Sequence, residues 1–97
     1  RMINIVLQGE DELFTRDLAH KLCEYLRRAD PRKLTVLGPA PAALTRLRNK
    51  YRYQILLKSQ QSLYMRTFAK EQIEFFRKTA SMKDVQILVD VDPVSLL

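Results

Sequence analysis

The hydrophobic pattern of the first third of the chain predicts a strand followed by a helix. Ile3, Ile5 and Leu7 share one face of Met2–Leu7, which is the spacing of a strand. After Gly9-Glu10-Asp11, apolar residues recur at helical spacing as far as about Ala29, and Asp30-Pro31 ends the helix. The residues predicted to face the core are Phe14, Leu18, Leu22, Tyr25 and Leu26, with Arg16, His20, Glu24 and Arg27 on the opposite side.

The remaining pattern predicts three strands and a second helix. Leu34–Leu37 is a short strand, Gly38 to Lys50 a loop, and Tyr51–Lys58 a third strand. A helix starts near Gln61 or Ser62 and reaches Lys78, with Gln72 unexplained within its apolar stripe. That stripe is Met65, Phe68, Ala69, Phe75 and Phe76, and Arg66, Lys70 and Arg77 form a polar edge. A fourth strand, stopped by Asp92-Pro93, carries Val85, Ile87, Val89 and Val91 at alternate positions.

The order of these elements is β-α-β-β-α-β, which predicts a ferredoxin-like α+β fold. Such a fold has a four-stranded antiparallel sheet with both helices on one face and the other face open. The 97 residues suffice for a single small domain, and a composition of 46% hydrophobic and 29% charged residues argues against disorder.

Charge is distributed unevenly along the chain. The net charge is +6, and residues 31–70 contain nine basic side chains and no acidic one. A surface serving only solubility would mix both signs, so this segregation favours an anionic partner. The alternative is a solvated basic face that binds nothing.

The candidate nucleic-acid-binding residues are the cations of the predicted Gly38–Lys50 loop and of the third strand. Basic side chains beside a strand suit phosphate groups, because each neutralised phosphate releases counterions. Tyr51 and Tyr53 could stack on bases, but they share a face with Ile55 and Leu57, which favours a core position. The candidates are Arg46, Arg48, Lys50, Arg52 and Lys58.

No residue set predicts catalysis or a resident metal. Asp90 and Asp92 lie on the same side of the fourth strand, but two carboxylates make a weak cation site and a charged strand end is the favoured interpretation. His20 has no acid or cysteine partner at catalytic or ligand spacing. Cys23, the single cysteine, is predicted to be a small core residue. Phosphate-binding-loop, zinc-cysteine and nucleophile-elbow motifs are absent from this sequence.

Four motifs give the chain a family resemblance. They are Gly38–Ala42, Arg46-Leu47-Arg48, Tyr51-Arg52-Tyr53-Gln54 and Asp90-Val91-Asp92-Pro93. Together they resemble the C-terminal domain of the PriA family of replication-restart helicases, also called primosomal protein N-prime. The resemblance covers the whole chain and implies a ferredoxin-like fold. The start at Arg1 rather than Met suggests a piece excised from the C-terminal end of a larger helicase.

The resemblance also implies a function. The parent is expected to be an ATP-dependent, zinc-containing DNA helicase of the bacterial cytoplasm and nucleoid, without a membrane segment. ATP, magnesium and zinc would bind upstream, which leaves this chain with no cofactor and no activity of its own. The implied partners are branched or single-stranded DNA at stalled forks, the helicase core of the same chain, single-stranded-DNA-binding protein and other primosome proteins.

Two points of this interpretation stay open. The family captures the acidic, apolar tail of single-stranded-DNA-binding protein partly through a basic residue at the start of the second helix, where this chain has Ser62. Lys58 and Arg66 are the nearby substitutes. The basic loop could contact acids of the helicase core instead of DNA. A ribosomal-type RNA-binding module of the same topology is the alternative function.

Overall fold

The chain folds into one antiparallel sheet covered on one face by two helices, as the ferredoxin-like pattern predicts. Residues 1–30 and 34–92 of the computed structural model are described, with the backbone alone for residues 43–47. The elements are β1 (Met2–Gly9), α1 (Glu12–Ala29), β2 (Thr35–Leu47), β3 (Lys50–Lys58), α2 (Ser62–Thr79) and β4 (Gln86–Val91). The strands are ordered β2-β3-β1-β4, so β2 and β4 form the two edges of the sheet.

The core lies between the sheet and the helices. Ile3, Ile5 and Leu7 of β1 are fully buried, as their shared strand face predicts. Ile55 and Leu57 of β3 meet them from the neighbouring strand, and the apolar stripes of both helices close the cluster. The helical members are Leu18, Ala19, Leu22, Cys23 and Leu26 of α1 and Met65, Phe68, Ala69, Ile73 and Phe76 of α2.

Helix α1 begins where its sequence predicts. Asp11 has an extended backbone, and its carboxylate accepts a hydrogen bond from the N–H of Phe14 at 3.0 Å, which is an N-cap. Gly9, just before this cap, has no room for a side chain. A Cβ there would lie 2.5 Å from Oγ1 of Thr15 and 2.9 Å from Cγ2 of Val85. The glycine therefore lets the end of β1 pass close beneath α1 and the start of β4.

The predicted loop from Gly38 to Lys50 is wrong. Strand β2 does not stop at Leu37 but continues to Leu47 opposite β3, with register shifts between Leu37 and Ala40 and between Pro41 and Arg46. Proline is compatible with an edge strand because it needs no partner for the N–H it lacks. Gly38 has a φ of 111°, and a Cβ there would lie 2.9 Å from the carbonyl oxygen of Gln54, so only glycine fits.

Three side chains in the helices differ from their predicted roles. Arg27 is partly exposed but also contacts β2, because its Nη2 donates to the carbonyls of Val36 at 3.2 Å and Gly38 at 3.0 Å. Phe75 is exposed rather than part of the core, and its ring stacks on Tyr25 with centroids 6.1 Å apart. Gln72 accepts a hydrogen bond from the Tyr25 hydroxyl at 2.5 Å, which explains a polar residue in the apolar stripe.

Candidate nucleic-acid interface

The candidate DNA-binding cations lie on a hairpin made by β2 and β3, not on a loop. The hairpin turns at Arg48 and Asn49, and Leu47 pairs with Lys50 across the turn. Both turn residues have positive φ, 52° for Arg48 and 65° for Asn49, which is the combination of a type I′ turn. Such a turn follows the twist of the strands, so the tip of the hairpin is held in a defined direction.

The faces of β3 separate its basic residues from its aromatic ones. Lys50, Arg52 and Lys58 occupy even-numbered positions and therefore lie on the open face of the sheet. Tyr53, on the other face, is 6% exposed, and Tyr51 packs against the core. The prediction that the tyrosines belong to the core is confirmed. The open face therefore offers cations and amides rather than stacking rings at this strand.

The candidate cations do not form one cluster. Arg48, at the exposed turn, adjoins Lys50 and Arg52, and we call these three residues the basic hairpin tip. Lys58 lies at the opposite end of β3, about 26 Å from Lys50 at the usual rise of a strand. It borders a separate shallow hollow with Arg1, Thr35, Ser59 and Gln60. The backbone of Arg46 pairs with Tyr51, and its side chain lies outside the described set.

A row of polar side chains continues from the hairpin across the open face. The Arg52 guanidinium donates from Nε to Oε1 of Gln8 at 3.3 Å, and Nε2 of Gln8 donates to Oε1 of Gln86 at 2.8 Å. The row thus crosses β3, β1 and β4. The hydrogen bond to Gln8 fixes the direction of the Arg52 side chain. The sequence did not indicate this polar row, because its contacts depend on strand register rather than on any local motif.

Acidic residues with hydrogen-bond partners also lie at this end of the sheet. Glu12, in the first turn of α1, accepts a long hydrogen bond of 3.5 Å from the Tyr53 hydroxyl, and burial raises the pKa of that hydroxyl. Asp84 accepts from the N–H of Glu10 at 2.9 Å.

The predicted partner-binding residues occupy different surfaces. Ser62 is the first residue of α2, and Arg66 lies one turn later, where it borders a groove between α2 and β4. Lys58 is on the open sheet face at the end of β3. These three residues lie near the same end of the molecule, but Lys58 and Arg66 face different sides of the sheet.

Within the described residues, Asp92 and Cys23 have structural partners, whereas Asp90 and His20 have none. The Asp92 carboxylate accepts from the Met2 N–H at 3.1 Å and lies 3.8 Å from the Arg1 guanidinium. Asp90 and His20 are exposed, and no group of three or more His, Cys, Asp or Glu side chains converges within the described ranges. The Cys23 thiol is buried and donates to the Gly38 carbonyl at 3.1 Å. Nor does any helix in the described part of the chain have the length and apolarity to cross a bilayer.

Comparison with known proteins places this chain in a family. Residues 1–94 match the family described as the primosomal protein N C-terminal domain. The chain belongs to this family. The match confirms the resemblance carried by the four motifs, and it favours the replication-restart interpretation over the ribosomal one.

Named relatives agree with the family match. Replication restart protein PriA of Bacillus subtilis (strain 168) is 25% identical over 79 residues, which are 81% of this chain and 10% of that protein. PriA of Rickettsia prowazekii (strain Madrid E) is 28% identical over 93% of this chain and 13% of its own length. PriA of Synechocystis sp. is 36% identical over 77% of this chain and 8% of its own length. This chain thus spans about a tenth of the relatives it matches.

Solved structures support the fold. A de novo designed protein with a ferredoxin fold, LFR1 1, superposes with a TM-score of 0.63 at 12% identity, over 95% of this chain and 83% of its own. The designed protein Foldit4 gives a TM-score of 0.60 at 10% identity, over 95% and 97% of the two chains. At these identities the likeness concerns architecture alone.

Proposed function

We propose that this chain is the C-terminal domain of a PriA-type replication-restart helicase and contacts DNA through the basic hairpin tip. The observation that carries the proposal is the placement of Arg48 at an exposed, geometrically defined turn, with Lys50 and Arg52 following on the open face of β3. The absence of acidic residues between positions 31 and 70 supports the same role.

The binding mode is contact with the phosphate backbone. Guanidinium and ammonium groups neutralise phosphates and release counterions, so the affinity falls as salt is added. The basic hairpin tip carries no arrangement that reads base edges, so binding should be almost indifferent to sequence. A type I′ turn that is formed before binding loses little conformational entropy when its cations meet the backbone. The role is to help hold branched DNA at a stalled fork while the motor acts.

The parent protein supplies the remaining chemistry. It is an ATP-dependent DNA helicase whose nucleotide, magnesium and zinc bind in other domains, and it works in the bacterial cytoplasm at the nucleoid. Its partners are branched or single-stranded DNA, single-stranded-DNA-binding protein and other primosome proteins. Within that protein, this domain also packs against the helicase core.

A tail of single-stranded-DNA-binding protein would meet the start of α2. Arg66 is the cation best placed for its carboxylates, since it is exposed one turn after Ser62, whereas Lys58 lies on the open sheet face. The tail peptide should therefore shift the backbone resonances of residues 62–66. A peptide that leaves residues 58–66 unchanged would show that this domain alone does not form the site.

The test of DNA binding is made in the intact helicase. Arg48, Lys50 and Arg52, the three residues of the basic hairpin tip, are replaced together by glutamine, and binding to a forked DNA is measured over a salt series. The dependence of log affinity on log salt should flatten by about 0.9 for each duplex phosphate that the variant no longer neutralises. A control variant removes three exposed helical cations, Lys21, Arg28 and Lys78, and should keep the wild-type slope.

The contrary result is equally specific. If the hairpin variant remains folded and keeps both its affinity and its salt slope, the cations do not meet DNA. The hairpin would then dock against acids of the helicase core, and domain contacts in the parent protein would weaken instead. Equal losses in the two triple variants would mean that net charge, rather than the basic hairpin tip, governs binding.

A further inference from the structure

The open face of the sheet has an apolar centre. Leu37 of β2 pairs with Leu56 of β3, and Val6 of β1 lies diagonally beside Leu56. These three residues cross three neighbouring strands, and we call them the open-face strip. Leu37 is 43% exposed. The solvated face of an antiparallel sheet usually carries polar side chains, so an apolar strip at this place indicates a contact surface.

Cations lie on both sides of the open-face strip. The side chains on the open face of β3 are, in order, Lys50, Arg52, Gln54, Leu56 and Lys58. Arg1 lies near Lys58, since both border the same shallow hollow. Strand β3 thus has two positive ends, about 26 Å apart at the usual rise of a strand, with an amide and an apolar side chain between them.

The acidic side chains near the open face lie away from β3. Residues 31–70, which include β2 and β3, contain no acid. On the open face of β4 the acid is Asp90, and β1 separates β4 from β3. Asp92, just after β4, is held by the Met2 N–H and lies 3.8 Å from the Arg1 guanidinium. The charge along β3 itself is therefore wholly positive, which matches a polyanion.

A single strand of DNA matches this surface better than a duplex does. The outside of a duplex presents phosphates and sugars, which match the cations but leave the open-face strip in water. In a single strand the bases are free to turn toward the protein, where their apolar faces cover aliphatic side chains and their edges meet amides. Gln54 supplies an amide beside the strip, and the Gln8–Gln86 pair continues the polar surface across β1 and β4.

We propose that a single strand of DNA binds along the open face of β3, from the basic hairpin tip across the open-face strip to Lys58. The tip and Lys58 neutralise phosphates, and the bases between them pack on Leu37 and Leu56. This inference rests on the proposed DNA contact of the basic hairpin tip. It extends that contact, because it assigns the form of the bound DNA and the part of the sheet that its bases cover.

The first experiment separates base contacts from phosphate contacts. A single strand of about eight nucleotides, within the usual range for one small binding fold, is compared with an abasic strand of equal length and charge. Fluorescence anisotropy should show about fivefold weaker binding of the abasic strand. The methyl resonances of Leu37 and Leu56 should shift only with the strand that carries bases. Equal affinities would show that phosphates alone are bound, which overturns the proposal.

Leu37 and Leu88 provide a matched pair of substitutions. Both lie on the open face of an edge strand and are 43% and 44% exposed, but Leu37 adjoins Leu56, whereas β1 separates Leu88 from β3. Leu37→Ser should weaken single-strand binding about three- to fivefold, because it removes apolar area that the bases cover. Leu88→Ser should leave it within about twofold. Equal losses in both variants, or no loss in either, would exclude base contacts along β3.

The cation at the far end of β3 is tested through the salt dependence of binding. Lys58→Gln should flatten the plot of log affinity against log salt by about 0.7 for the same single strand, because one phosphate is no longer neutralised. Lys21→Gln, which removes an exposed cation of α1, should keep the wild-type slope. An unchanged slope for Lys58→Gln would show that the strand does not reach this end of β3, and the proposed path would be wrong.

The full-length parent protein keeps the two proposals apart. There, Leu37→Ser should weaken binding to a fork with a single-stranded arm about threefold and should not change binding to a fully duplex fork. If Leu37→Ser has no effect while glutamine substitution of the basic hairpin tip still flattens the salt slope, the tip binds DNA and the single-strand path is wrong. If the tip variant also keeps the wild-type slope, both proposals fail.

Discussion

The two edge strands of the sheet expose their backbones very differently. Strand β2 has 13 residues, two register shifts and two prolines, and its carbonyls at Val36 and Gly38 are bound by Arg27. Strand β4 has six residues, and its register against β1 runs without a shift from Val91 to Gln86. Bulges, prolines and bound carbonyls all discourage pairing with another strand, whereas a regular edge permits it.

This difference indicates how each edge is able to function. The β2 edge is interrupted by bulges and prolines, and the hairpin that it forms with β3 presents basic side chains. The β4 edge offers the backbone of Val89 and Val91 beside an apolar groove that α2 borders. One feature is shared: each helix has an arginine in its last turn, Arg27 or Arg77, that binds a carbonyl of the strand that follows.

The largest expected effect comes from a residue on which both halves of the sheet depend. Ile5 is fully buried at the centre of β1, where it pairs with Ile55 of β3 and Val89 of β4. Ile5→Ala should lower the free energy of unfolding by about 2–5 kcal/mol, because it removes buried methyl groups and leaves a cavity. Urea denaturation followed by circular dichroism measures the loss.

Leu13→Ala provides the control for this prediction. Leu13 is 58% exposed, so its truncation should change the free energy of unfolding by about 0.5 kcal/mol or less. If Ile5→Ala unfolds β4 while the hairpin stays protected from hydrogen exchange, the two edges do not belong to one cooperative unit. The two edges would then be separately stable parts rather than one cooperative sheet.

Periodicity was sufficient to predict most of the fold. The strands β1 and β3 and both helices were predicted within about two residues of their observed ends, because their apolar residues recur with one clear period. The extension of β2 was missed because prolines and small residues from Gly38 onward are typical of a break. In the structure they lie on an edge, where a missing N–H removes no ladder bond.

The candidate surfaces were predicted less completely, for a physical reason. Strand parity alone was enough to separate Arg52 from Tyr53, and strand rise alone was enough to separate Lys50 from Lys58. The roles of Arg27 and Gln72 depend on neighbours from other elements, so no local pattern indicates them. Val89 and Val91 continue the alternation of a core strand, and only the position of α2 leaves them partly exposed.

A smaller effect is expected from the two last-turn arginines. Arg27→Met and Arg77→Met each remove hydrogen bonds to strand carbonyls, and each should lower the free energy of unfolding by about 1 kcal/mol. Hydrogen exchange should rise mainly in β2 for the first variant and mainly in β4 for the second. Arg28→Met is the matched control, since Arg28 is exposed next to Arg27 in the same helical turn, and it should change neither strand. Identical exchange patterns in both variants would contradict independent anchoring of the edges.

The smallest expected effect is local and is reported by Cys23. Its thiol is fully buried against the Gly38 carbonyl, and burial raises its pKa, with Arg27 lowering it and Glu24 raising it to a lesser degree. The folded chain should therefore react with iodoacetamide far more slowly than the unfolded chain at pH 8. Because folding raises the pKa of the thiol, its protonated form stabilises the folded state at pH values below the ordinary pKa of about 8.5. This stabilisation is lost as the pH rises through the pKa of the thiol in the folded chain.

The same thiol distinguishes opening of the β2 edge from general loss of stability. Reaction of a buried cysteine requires a local opening, and Cys23 lies beneath the part of β2 that Arg27 holds. Arg27→Met should speed alkylation about fivefold, which corresponds to about 1 kcal/mol in the opening equilibrium. Arg77→Met lowers overall stability by a similar amount but acts on β4, so the alkylation rate should stay within about twofold of wild type. Equal acceleration in both variants would show that Cys23 is exposed only by global unfolding, and that the two edges of the sheet open together.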